Sequence, residues 1–353
     1  MKLRMLKTQS LPKVLTPIFL VLLLTGALLA INFLASSYVQ RVITILGINI
    51  VFVVSLNLLN GFTGVFSLGQ VGFMAIGAYT AAILTLPLNL KVVSLPNLPS
   101  WLAGVQLSFV PALLIGAVVS TLVALVIGLS LMRLGGSYVS VATMGFLVIV
   151  HVVLINWDSL TRGARTFAGV PPYTTLWWAW GWAALTVYVV WRLVHSSYGR
   201  SMRAVRDNEI AAQMLGINIM RTRLLAFCTS AFLAGVAGAL WAHYITSFSP
   251  EAFYFTETFS LIMMLVIGGM GSISGSILGT VAITLLSEAL RNAERGANLG
   301  FIKIPPIYGA SQILTAAAFI AVIIYHPQGL LGGREFNFRR LLISSHRRGK
   351  GKN

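Results

Sequence analysis

Charge is what this sequence has least of. Asp, Glu, Lys and Arg make up 9% of its 353 residues, against about 25% in soluble globular proteins. So little charge does not cover a water-facing surface of this size. The composition reads as an integral membrane protein rather than a soluble one with a very large core. There is one cysteine, Cys228, which allows no intrachain disulfide and no cysteine metal cluster. The histidines (His151, His195, His243, His326 and His346) are scattered, without the spacing of a metal site. No GxxxxGK[ST] phosphate loop, HExxH or GxSxG occurs, which argues against an ATPase, a metalloprotease or a serine hydrolase. No Asp, Glu or Lys falls at the centre of an apolar run. The carboxylate equipment of proton- and sodium-coupled carriers is therefore missing, and the energy for any transport comes from outside this chain.

What is present is 57% hydrophobic residues in recurring runs. A helix needs about 20 apolar residues to cross the hydrocarbon. Candidate spans fall at 14–34, 41–60, 69–86, 108–132, 137–155, 177–195, 224–244, 257–270, 275–290 and 307–325. The pair 257–270 and 275–290 is short, and reads either as two tilted helices or as one re-entrant pair. The first run follows Lys2, Arg4, Lys7 and Lys13 and is longer than a signal h-region, so it reads as a retained first helix. Ten spans put both termini on one side. On that scheme 18 of the 25 basic residues lie inside and seven outside (Arg41, Lys91, Arg162, Arg165, Arg291, Arg295 and Lys303), in keeping with the positive-inside rule. The outer stretch 291–303 reads as a short surface helix, with Glu294 three residues after Arg291. The net charge of +17 is accounted for by membrane topology and by contact of tail residues such as "RRGKGK" with anionic lipid headgroups, without nucleic acid.

Two segments interrupt apolar runs with small residues: "NLLNGFTGVFSLGQVGFMAIGAY" (57–79) and "VIGGMGSISGSILGT" (266–280). Gly271, Gly275 and Gly279, four apart, share a helix face that lets backbones approach closely. Tight packing is one reading. The other is a pair of broken helices near the bilayer midplane, one in each half of the chain, flanking a substrate path. The candidates for that path are Asn57, Asn60, Thr63, Gly64, Ser67, Gln70, Gly268, Gly269 and Ser272. Each polar one also suits a helix–helix hydrogen bond.

One dense polar segment stands apart: "GRSMRAVRDNEIAAQMLGIN" (199–218). Ser201 to Leu215 reads as one helix with Gly216 as its C-cap. Met202, Val205, Met214 and Leu215 form an apolar stripe, with Arg203, Arg206 and Glu209 pointing elsewhere. The pattern suits either an amphipathic loop on the membrane or a helix that docks into a groove on a soluble partner.

This segment resembles the cytoplasmic coupling loop of bacterial ABC-importer permeases, with "EIAAQMLGI" similar to the EAA loop. The whole chain is similar to the Liv-type branched-chain amino acid permeases, on the LivM side of that family. "LNLLNGFTGVFSLGQVGFMAIGAYTAA", "GGSYVSVATMGF", "LINWDSLTRG", "MLVIGGMGSISGSILGT" and "HPQGLLGG" resemble family motifs in order, over residues 40 to 333. It departs from the family pattern at Gln70 (commonly His), at His326 (commonly Arg) and in the outer loop "LTRGARTFAGV".

The resemblance implies an all-α polytopic fold of about ten transmembrane segments (8–10) with glycine-broken helices. It implies a core at 41–330 with a coupling loop at 196–223, between a basic N-terminus with its first helix (1–40) and a basic cytoplasmic tail (331–353). It implies a bacterial inner-membrane protein with no cofactor of its own. Its partners would be a second permease of the LivH type, two cytoplasmic ATPases that bind ATP and Mg, and a periplasmic substrate-binding protein. Coupling falls to Arg203, Val205, Arg206, Asp207, Glu209, Ala211, Ala212, Met214, Leu215 and Gly216. Branched-chain or other hydrophobic amino acids are the expected cargo. Urea or short amides, or a stand-alone channel or facilitator, are the alternatives.

Overall fold

Apolar runs of this length and frequency fold in lipid as helices, because only a helix satisfies its own backbone there. The computed structural model describes residues 25–26, 28–294, 298–299, 302–303, 309–326, 328–331 and 335. Most of the first predicted span and nearly all of the basic tail lie outside the described residues. The long helices are α2 (Ser37–Asn57), α3 (Gln70–Thr85), α6 (Phe109–Leu131), α7 (Tyr138–Asn156), α9 (Leu176–Val194), α12 (Ile219–Ile245), α13 (Phe255–Gly268), α14 (Ile273–Glu294) and α15 (Ala310–Tyr325). Between them lie α1 (28–34) and the short helices α4 (Leu88–Ser94), α5 (Ser100–Ala103), α8 (Asp158–Thr161), α10 (Ser197–Asp207) and α11 (Glu209–Met214). Two antiparallel pairs of two-residue strands complete the order: β1 (Phe167–Ala168) with β2 (Ser247–Phe248), and β3 (Asn298–Leu299) with β4 (Ile302–Lys303).

Among the described residues, six helices are long and apolar enough to cross a membrane, or seven if α3 and α4, bent by 118°, form one span. The chain is thus an all-α polytopic membrane protein. The helix α9 falls outside that number although it is 19 residues long. Trp177, Trp178, Trp180, Trp182 and Trp191 lower its hydropathy, yet indole rings suit the membrane interface.

The bundle has two distinct ends. At one end, Arg206 of α10 donates to Gly61 O, and Ser140 at the start of α7 donates to Phe66 O. Arg223 at the start of α12 donates to Leu134 O, and Asn57 donates to Ser272 O between α13 and α14. At the other end, Leu107 N donates to Leu84 O, β1 pairs with β2, and Tyr38 meets Glu288 and Asn292. Aromatic rings fill this second end, where Tyr79, Phe167, Phe248, Phe253 and Trp241 stack edge to face.

The core is built on α12, which packs along α3, α6 and α2, while α2 also carries α9 and α14. The contact of α3 with α12 is backbone on backbone. A Cβ on Gly77 would run into Gly235, and one on Gly238 into the Met74 carbonyl. Close approach of this kind is how small residues hold helices together in lipid. Gly238→Val is therefore expected to destabilise the fold by about 1–3 kcal/mol or more, read as a lower melting temperature in detergent. Gly26→Leu, where nothing lies within 4 Å of an added Cβ, should melt with the wild type.

The predicted surface helix at 291–303 is corrected. The helix α14 runs on to Glu294, and β3 and β4 follow within the same stretch. Arg291 pairs with Glu288 at 3.0 Å, not with Glu294. Glu294 instead accepts from Ser311 Oγ at 2.7 Å and from Gly309 N. An acidic group suits that site because the first turn of α15 leaves free N–H donors. The Ser311 bond, with backbone donors beside it, holds the Glu294 carboxyl below its ordinary range.

Candidate functional site: the glycine-broken end of the bundle

The helix α2 passes directly into a π-helical turn, Leu58–Phe62. Such turns inside α-helices are frequent at functional sites. Together α2 and the turn span 26 residues, about 39 Å at 1.5 Å per residue, so the break follows a full crossing. The tight turn Gly269 to Ser272 between α13 and α14 sits beside it. Both breaks therefore lie at the α10 end of the bundle. The expectation that they fall at the midplane is corrected: hydropathy marks an interruption but not its depth.

Asn57 stitches the two breaks together. Its Nδ2 donates to Ser272 O at 2.9 Å, and its Oδ1 accepts from Gly271 N at 2.8 Å. Asn60 holds the loop that follows, accepting from Ser67 N at 3.0 Å and donating to Ser67 O at 3.4 Å. Thr63 donates to Leu58 O, and Ser67 Oγ accepts from Gly69 N. Gln70 donates to Ser230 Oγ at 2.6 Å, which in turn donates to Ser55 O at 2.6 Å. Its buried Oε1 has no hydrogen-bond partner among the described residues. All five polar side chains are buried. Among the glycines, Gly268 packs backbone to backbone on Gly275 and Gly279, and Gly269 lies against Gly329. Gly271 has φ +83° and stands in the turn, so it does not share the α14 face with Gly275 and Gly279.

The polar segment is two helices, not one. Asn208 is extended, with φ −161° and ψ 111°, and its side chain caps α11 by accepting from Ala211 N at 3.0 Å. The sequence signal for the break was Asn208 followed by Glu209, a favoured N-cap and first-turn pair. The helix α11 closes in a Schellman motif: Gly216 N donates to Gln213 O, Ile217 N donates to Ala212 O, and Gly216 takes φ +78°.

The predicted apolar stripe is split. Met202, Val205 and Ala212 are buried in the bundle, while Ile210, Met214 and Leu215 are 69%, 83% and 78% exposed. Val205 is thus corrected from a docking residue to a core one. The predicted rim charges are tied back to the bundle, Arg203 half-buried and Arg206 and Glu209 still exposed. Arg203 donates to Val194 O at 2.9 Å. Glu209 pairs with buried Arg223, which sequence reasoning missed although an arginine at the apolar start of a span is unusual. Arg206 reaches Gly61 O at 3.0 Å and is gripped by Asp207 Oδ1 through Nε and Nη2, each at 3.0 Å.

Residues 38–323 match the family model described as the branched-chain amino acid transport system permease component. The chain belongs to this family. The permease is 28% identical to the high-affinity branched-chain amino acid transport system permease protein LivM of Escherichia coli K12. That alignment covers 92% of this chain and 80% of the relative. Against LivM of Salmonella typhimurium it is 28% identical over 89% of the chain and 74% of the relative. It is also 28% identical to LivH of E. coli K12, over 52% of the chain and 61% of the relative. No solved structure matches the permease.

Proposed function

We propose that the permease is the transmembrane subunit of a binding-protein-dependent ABC importer for branched-chain or other hydrophobic amino acids. The end-to-end likeness to LivM carries this reading. The likeness to LivH supports a second permease chain as its membrane partner. Two ATPases that bind ATP and Mg, and a periplasmic binding protein, complete the assembly. This chain contributes no catalytic group. In this reading residues 41–330 are the core, flanked by the basic segments 1–40 and 331–353.

The α10 end faces the cytoplasm of the bacterium. It carries Arg133, Arg192, Arg200, Arg203, Arg206, Arg221 and Arg223, as the positive-inside rule favours. Nine long helices alternate between the two ends, and the run at 14–34 makes ten. The three shortest of the nine, α3, α13 and α15, are included because the loops flanking them belong to opposite ends. Both termini are then cytoplasmic. Cysteines placed at exposed Ala164 and Gln213 are expected to label from opposite faces of intact cells, Gln213→Cys only after permeabilisation. Labelling of both from outside would sink the orientation.

The ATPase docks on the exposed tip of α11, at Ile210, Met214 and Leu215. The polar and glycine residues around the two breaks, from Asn57 to Gln70 and from Gly268 to Ser272, frame the inner mouth of the substrate path beside the second permease. Their gathering at the docking end supports this. The test is ATP-dependent uptake of leucine into proteoliposomes holding the full complex. Uptake should need both ATP and the binding protein. Uptake through the permease alone would replace the importer with a facilitator, and urea uptake in place of leucine would move the cargo to amides.

A further inference from the structure

An importer needs a mechanical connection from its docking helix to its gate, and one side chain on α10, the helix that leads into α11, reaches both glycine breaks. Arg206 is the penultimate residue of α10. Its Nη1 donates to the Gly61 carbonyl in the π turn at 3.0 Å. Its Cγ lies 2.6 Å from where a Cβ of Gly64 would stand, so the methylene stem fills the space that glycine leaves. Gly64, at φ +75°, is held in a conformation that a side chain would resist. The same Nη1 lies 2.9 Å from where a Cβ of Gly271 would stand, which brings it to the second break. The remaining guanidinium nitrogens, Nε and Nη2, are held by Asp207 at the end of α10. The guanidinium is planar and its donors are fixed in a fork, so the Asp207 contact fixes the direction in which Nη1 points. A groove of about 510 Å3, lined by residues such as Tyr198, Gly216 and Arg221, lies beside α10 and the start of α12.

We propose that Arg206 is the coupling strut of the permease: it transmits displacement of α10 and α11 to the two glycine breaks at once. The proposal rests on the importer reading above. Glycine at 64 and 271 fits it, since a side chain at either position would meet Arg206. Arg206 touches no substrate in this scheme and acts by positioning the breaks.

The experiment uses the assembled importer in proteoliposomes. The readout is leucine moved per ATP hydrolysed, so a change in the basal hydrolysis rate cancels. A second readout is the reactivity of Ser67→Cys toward a water-soluble maleimide, with and without trapped nucleotide. In the wild-type background, nucleotide should change that reactivity. With Arg206→Ala, transport per ATP should fall at least tenfold and the nucleotide-dependent change should vanish. Arg206→Lys, which still offers a cation to Gly61 O, should recover part of both. If Arg206→Ala does not assemble, Arg206→Gln takes its place with the same two outcomes, because it keeps most of the stem against Gly64 and lacks the fork. A transport-to-ATP ratio within twofold of wild type in either variant overturns the strut. Failure of the wild-type complex to couple ATP to uptake is a different result, and overturns the importer reading instead.

Discussion

Met214→Asp combined with Leu215→Asp is expected to leave the permease folded and inserted while its ATPase no longer co-purifies. Both side chains are more than three-quarters exposed, so the change removes no core contact of the permease. Exposed methionine and leucine side by side at a helix tip are a fit for an apolar groove on a partner. Residues that fill such grooves contribute roughly 2 kcal/mol or more each when they are hot spots, about 30-fold in affinity. Two buried carboxylates in their place should reduce association further. The check is co-purification of the subunits at matched expression, with the melting temperature of the permease as control. Undiminished co-purification at an unchanged melting temperature would move the docking site away from α11.

Asn57→Ala is expected to abolish transport by a different route. The two bonds it removes join the π turn to the α13–α14 turn, one from Gly271 N and one to Ser272 O, at a fully buried site. A buried group that loses its partner costs about 1–3 kcal/mol. Both breaks then lose their common register, and uptake should drop at least tenfold while the complex still assembles. Asn57→Asp keeps the acceptor for Gly271 N and loses the donor to Ser272 O, so it should fall between wild type and alanine. Uptake within twofold of wild type in Asn57→Ala would mean that the two breaks act independently.

Much of the fold was legible because lipid makes the pattern simple. The predicted run 137–155 is α7, and 177–195 is α9, each displaced by one residue. Glycine spacing was a weaker guide. The tightest helix contact involves "AGVAGAL" in α12, whose Gly235 and Gly238 are three apart, and the predicted face of Gly271, Gly275 and Gly279 lost its first member to a turn. What the sequence hid is distance. Arg206 looks like a surface charge until the fold brings Gly61, 145 residues away, beneath it. Glu209 looks equally solvent-bound, and its partner Arg223 stands 14 residues on, across a helix break that a single-helix reading erased. Polar residues at depth were readable as hydrogen-bonding groups. Which helix each would join was not, because an amide such as Asn57 satisfies a facing backbone as readily as its own.

The pair formed by α13 and α14 has a kinematic consequence. Backbone contact through Gly268, Gly275 and Gly279 leaves little side-chain bulk to re-pack where the two helices meet, so they are expected to move as one body. That body is tied to α2 twice. Asn57 holds its inner turn, and Tyr38, at the far end of α2, accepts from Asn292 at 2.7 Å and donates to Glu288. The two ties are 19 residues apart in sequence, about 28 Å along the helix axis. A body held at two separated points has one easy motion, rotation about the line through them. Translation along α2 would break both ties together. Spin labels on α15, away from that axis, would then report large arcs during the transport cycle, and labels on α14 close to α2 would scarcely move.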